Sequence, residues 1–317
     1  MTRTRDIISE IIEIRSRRAS DDGMSELFIR LRTLESTFEK RDCLDTELLK
    51  YFPVAVVACL EGYFRLAIKR LIDAGEPYLS NAGKHMTSVK FDIEAVKALH
   101  GKHVSIGEFM AHNLPLSQLT HIDNHMSAIL GKHFLEELRS VTDRWAHEIH
   151  GKPKTPILVE PDSIYRDVSR TFAIRHIVCH ELASNFKVKP IDIEQGFLAC
   201  TLLLKASDEL MGETLYPNAP LTQTDMNITA NADLEAALAK VAELNKSLRD
   251  KLPPDSIEAF NITDELWKKF LDAWGKFEAH INEGGTIWPT IYCCAAQRVV
   301  EYRIQQLTDY IEQIGTQ

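Results

Sequence analysis

Apolar residues recur three and four positions apart along most of this chain, the spacing of amphipathic helices. Residues 4–18 carry Ile7, Ile8, Ile11, Ile12 and Ile14 and close on Arg15, Arg17 and Arg18, where a helix dipole favours cations. Ser20-Asp21-Asp22-Gly23 reads as a turn, with Ser20 or Asp22 placed to cap the next helix. That second helix, over 24–39, has the stripe Leu27, Ile29, Leu31, Leu34 and Phe38. Asp45-Thr46-Glu47 starts a helix that runs on to about residue 75. Its first half is apolar nearly all round, which predicts burial on most sides. Pro53 either kinks that helix or sits in its first turn.

Helical signals recur over 91–99, 104–111, 116–128, 130–149, 163–186 and 191–212, with Pro190 at the last break. The alternation of a half-buried strand is missing, and Pro156-Ile-Leu-Val-Glu-Pro161 reads as a short extended loop. Residues 216–230 are polar and rich in turn formers, the composition of a linker. Beyond it lie helices over 232–250, 255–281 and 289–314. Leu234, Leu238, Val241 and Leu244 make the stripe of the first, and Trp267, Phe270, Trp274 and Phe277 that of the second. Gly284-Gly285 breaks the last two apart. The expected fold is all-α. A helical arm (1–44) precedes a helical bundle (45–215), a linker (216–230) and a small helical domain (231–317).

Composition bounds the function. Apolar residues make up 44% and charged residues 26%, ordinary for a globular protein. No uninterrupted apolar run of about 18 residues predicts a membrane span. Charge breaks the N-terminal stretch too early for an export signal, so the default expectation is a cytoplasmic protein with no membrane partner. Cys43, Cys59, Cys179, Cys200, Cys293 and Cys294 are scattered through apolar context, which suits a reducing compartment. Cys293-Cys294 reads as adjacent core thiols rather than a redox pair. A net charge of −9 argues against broad nonspecific binding of nucleic acid and leaves room for one small basic cleft.

The richest chemistry lies in Arg175-His176-Ile-Val-Cys-His180. On a helix advancing about 100° per residue, His176 falls about 100° and His180 about 140° from Arg175. Ile174, Ile177 and Val178 fall about 200–300° round, so they anchor the helix from behind. Phe172, Cys179 and Ala183 share the ionisable arc, which predicts a half-buried face. A guanidinium fork suits phosphate oxygens, and imidazoles suit proton transfer near neutrality. His176/His180 and His121/His125 are also H-x3-H pairs, able in principle to share a metal. The first lacks the glutamate a helical zinc peptidase needs, and no metal or cofactor is expected. Arg144-x5-His150, with His147 between, is a weaker copy of the arginine–histidine spacing, since Gly151 and Pro153 end its helix.

Arg175-x4-His180 with a polar residue after the arginine, together with the first-helix pattern around Val57-Ala-Cys-Leu-Glu61-Gly-Tyr-Phe-Arg65, resembles the HEPN superfamily over about residues 45–213. HEPN nucleases are metal-independent endoribonucleases of toxin–antitoxin, CRISPR and phage-defence systems, and their domains dimerise to build a composite cleft. The resemblance implies that Arg175 holds the scissile phosphate. His180 moves the proton of the ribose 2′-hydroxyl and His176 supports either role. It also implies a homodimer with 163–186 near its axis, an RNA substrate, and an antitoxin or trigger protein as partner. Lys187 and Lys189 are the nearby basic residues.

Residues 231–315 resemble a different family, the LprI-like lysozyme inhibitors. The resemblance rests on Trp267-x6-Trp274-x2-Phe277, then Gly284-Gly285-Thr286-Ile287-Trp288-Pro289, then Cys294 and Arg298. Members are typically exported and carry cysteines that can pair; here His280 stands near the point where the resemblance leads one to expect the first cysteine. The expectation is a ribonuclease whose C-terminal domain regulates it or senses a protein. The competing readings are a non-enzymatic HEPN module that dimerises or binds a nucleotide, and a lysozyme-inhibitor-like protein-binding module.

Overall fold

A computed structural model describes residues 7–18, 23–40, 46–87, 89, 91–101, 103–181 and 185–315. The chain is all-α: among the described residues no strand forms, and Thr142 and Pro156 make an isolated antiparallel bridge. It divides into two compact units, 1–217 and 218–317.

The first unit holds α1 (Ile7–Ser16), α2 (Gly23–Glu39), α3 (Thr46–Leu49), α4 (Tyr51–Asp73), α5 (Tyr78–His85), α6 (Ile93–His100), α7 (Ile106–His112) and α8 (Leu119–Leu130). It continues with α9 (Phe134–Leu138), α10 (Arg144–Glu148), α11 (Pro161–His180) and α12 (Pro190–Leu215). Helix α4 is its axis. Val57, Leu60, Phe64, Ile68 and Leu71 are buried completely, as an apolar circumference requires. Pro53 lies in the first turn of α4, where its missing N–H costs no hydrogen bond. Around α4 pack α2, α5, α7, α8, α11 and α12. Residues 47–73 are long and apolar enough to cross a membrane, although no uninterrupted apolar run marks them out; their apolar side chains supply the core of this unit.

Several expected boundaries move. The N-terminal helices are not a separate arm: Leu27 and Leu31 of α2 join the main core, and Ile11 of α1 packs with Ala95, Val104 and Phe109. The predicted helix 130–149 is two short ones. Gly131 turns left-handed at φ 71°, and the Asp143 carboxylate accepts the Ala146 N–H at 2.8 Å to start α10 afresh. The turn signals at Ser20–Gly23, and Cys43, fall outside the described residues or side chains.

The second unit is a three-helix bundle of α13 (Gln223–Arg249), α14 (Pro254–Ala279) and α15 (Trp288–Gly315). Helix α15 packs on both others through Cys293, Ala296, Val300 and Leu307. The expected linker is therefore shorter than 216–230, because α13 begins at Gln223 with Thr222 as its cap. Asn227 explains the extra turns. Its amide donates to the Thr286 carbonyl at 3.1 Å and its oxygen accepts the Thr290 hydroxyl at 2.6 Å, tying the start of α13 to the glycine loop. Limited proteolysis is expected to cut first within 216–222 and release two stable fragments. Cleavage within α13 before that segment is cut would show that the boundary lies elsewhere.

Candidate functional site

The long α11 begins with Pro161 in its first turn and is anchored by Ile164, Val168, Phe172 and Ile174. Those side chains fix the rotation of the helix, and they bring the three predicted site residues to one place. Arg175 Nη1 lies 3.4 Å from His180 Nε2. The His176 and His180 rings are 5.0 Å apart, tilted by 47°. Arg175 is half-buried, while His176 and His180 are exposed.

The site faces a groove of about 670 Å³. Phe172, Ala173, His176 and His180 line one side, and the 117–120 segment leading into α8 lines the other with Ser117, Gln118 and Thr120. These uncharged polar groups suit ribose and base edges better than phosphate.

One sequence expectation holds only in part. In the ionisable arc Phe172 is buried at 4% exposure and Arg175 is half-buried, yet His176, Cys179 and His180 are exposed. The helix stops at His180 instead of 186, because Glu181 turns extended. Ala183 lies outside the described residues.

A residue assigned no role from sequence completes the cluster. Glu61 of α4 places Oε1 3.7 Å from Arg175 Nη2. It holds the guanidinium from one side and leaves its other donors for a ligand. The sequence held one clue, since Glu61 is a lone carboxylate in the otherwise apolar stretch Val54–Phe64.

The rival arginine–histidine pair is dispersed. Arg144 is held by Glu148 and Glu213, each at 2.8 Å. His150 lies beyond the end of α10 and accepts from the Trp145 indole at 3.1 Å. The second H-x3-H pair is also otherwise engaged: His125 Nδ1 meets His85 Nε2 at 2.8 Å. Burial, with His85 and then His121 nearby, holds the His125 imidazole below its ordinary range. Among the described residues no group of three or more histidine, cysteine or carboxylate side chains is arranged to hold a metal.

In the second unit the residues of the glycine loop shape the turn and its packing. Gly284 takes φ 75°, a left-handed turn that glycine adopts without strain. Trp288 stacks on Tyr292 at 5.2 Å, and Arg298 forms an ion pair with Glu278 that joins α15 to α14. Residues 217–307 match the lysozyme inhibitor LprI family model. That match covers α13, α14 and most of α15, and begins ahead of the boundary read from sequence. No curated protein and no solved structure matches the chain. Cys294 is free and exposed, and Cys293 is free and buried, with burial pushing its thiol up. His280 contacts the Phe277 carbonyl at 2.6 Å through Nδ1.

Proposed function

We propose that the 1–217 unit is a metal-independent endoribonuclease of toxin or antiphage-defence type, acting at Arg175 and His180. The observation that carries this reading is the 3.4 Å approach of a guanidinium donor and an imidazole nitrogen at the edge of an open groove. RNA supplies its own nucleophile, the 2′-hydroxyl. His180 Nε2 takes that proton as the oxygen attacks phosphorus. The P–O5′ bond breaks, and the departing oxygen takes a proton from His176 or from water. Arg175 stabilises the charge that gathers on the non-bridging oxygens. A phosphate that takes over the Arg175 donors also frees the Nε2 lone pair, so binding prepares the base.

A homodimer with α11 near its two-fold axis would bring a second copy of these groups to the same cleft. The match to the LprI family favours a protein-binding role for the 218–317 unit. In this reading it restrains the nuclease or senses a trigger protein or antitoxin.

Incubating the purified chain with RNA in excess chelator tests the chemistry. Cleavage is expected to persist and to leave 2′,3′-cyclic phosphate ends, with DNA untouched. Loss of cleavage in chelator and its return with zinc would replace this mechanism with a metal site on His176 and His180.

A further inference from the structure

The outer face of α14 is apolar from Ile262 to Phe277. Ile262, Leu266, Phe270, Trp274 and Phe277 succeed one another at three- and four-residue steps, and Ile281 continues the line. All are exposed, Leu266 by 60% and Phe277 by 61%. They form a ladder: Phe270 stacks on Trp274 at 5.8 Å, and Trp274 meets Phe277 at 5.5 Å. The opposite side of α14 carries Leu271 into the bundle core, so the helix is apolar on two faces and only one is used. These six side chains expose roughly 600 Å² of apolar surface, at the upper end for a lone protein.

The rim of the stripe identifies what covers it. Along one edge, the N-terminal half carries Glu258 and Glu265, and the C-terminal half Lys269 and Lys276. Lys276 is shared with Asp272, further round the helix, and Glu265 with Lys268. Glu258 and Lys269 have no ion-pair partner among the described residues. When two helices pair antiparallel, each edge faces the same edge of its partner, running the other way. The acidic half of this edge then lies against the basic half of a second copy. A parallel pairing would set this edge against the other, which carries Glu278, already paired with Arg298.

We infer that the chain self-associates through antiparallel pairing of α14 with α14 of a second copy. The stripe supplies most of the roughly 800 Å² per partner that a stable complex buries, and neighbouring rim residues supply the rest. This contact is separate from any at α11. If both join the same two chains they close a dimer; otherwise they link copies into longer chains.

Sedimentation of the full chain at micromolar concentration tests the pairing. The wild type is expected to associate, and Leu266→Glu/Phe270→Glu to weaken association by at least roughly tenfold with an unchanged melting curve. Glu258→Lys/Glu265→Lys and Lys269→Glu/Lys276→Glu should each weaken it alone and restore it when mixed. Arg175→Ala/His180→Ala should associate like the wild type, which separates this contact from the nuclease reading. A strictly monomeric wild type, or association untouched by Leu266→Glu/Phe270→Glu, would overturn the proposal. Failure of the charge-reversed pair to rescue one another would overturn the antiparallel arrangement.

Discussion

Alanine at Arg175 or at His180 is expected to lower RNA cleavage by about 10²–10⁴-fold, the usual worth of a positioned acid–base or charge-stabilising group. Both side chains face the groove rather than the core, so the variants should melt with the wild type. Arg175→Lys keeps the charge but loses the fork that spans two phosphate oxygens, and should recover only part of the loss. His176→Ala should cost less, because water can protonate the leaving oxygen. Glu61→Gln separates orientation from charge. It leaves an amide beside Arg175 in place of the carboxylate 3.7 Å away, and should move substrate binding more than the chemical step. Initial rates on a short labelled RNA decide the matter. Full activity in His180→Ala would sink the mechanism, because no other imidazole approaches Arg175 as closely among the described residues.

The parts of this architecture legible in the sequence are those set by local pattern. Helix α4 announces its burial because apolar residues surround it, and α11 places Arg175 and His180 together because helical periodicity alone brings residues five apart onto neighbouring arcs. Elements set by partners distant in the chain are hidden. Asn227 sits in a turn-rich stretch, yet it is helical because the Thr286 carbonyl and the Thr290 hydroxyl complete its hydrogen bonds. Leu27 and Leu31 look like the stripe of a detached arm because nothing local points to α4 as their cover. The Glu61–Arg175 approach spans two helices more than a hundred residues apart, and no spacing rule encodes it. The exposed face of α11 departs from expectation for a related reason. Phe172 does turn inward and Arg175 is half-buried, but His176, Cys179 and His180 stay exposed at the end of the helix.

Asp264→Ala is expected to destabilise the 218–317 unit by about 1–3 kcal/mol, because it strands the buried Asn245 amide donor and removes the negative charge near Arg303. Each helix of this bundle contributes one buried polar residue: Asn245 from α13, Asp264 from α14 and Arg303 from α15. Asp264, 3% exposed, is the hub. It accepts from the Asn245 amide at 2.8 Å and from Lys268 at 3.1 Å, and lies 3.6 Å from Arg249. Arg303 packs its guanidinium 5.6 Å from the Trp267 ring centre and 5.9 Å from that of Phe260, and donates to Gln306 at 2.7 Å. Burial lowers its affinity for the proton, and the Asp264 charge offsets part of that. Removing the carboxylate leaves a buried cation facing only rings and amides. Arg303→Met removes the costly charge while Lys268 and Arg249 still balance Asp264, so it should cost far less. The double variant Asp264→Leu/Arg303→Met should regain most of the stability lost in Asp264→Ala, because an apolar pair carries no desolvation penalty. Three of the four tryptophans, Trp267, Trp274 and Trp288, lie in this unit, so fluorescence-monitored unfolding reports chiefly on it. An unchanged midpoint for Asp264→Ala would show that the three polar residues are held by the packing around them rather than by one another.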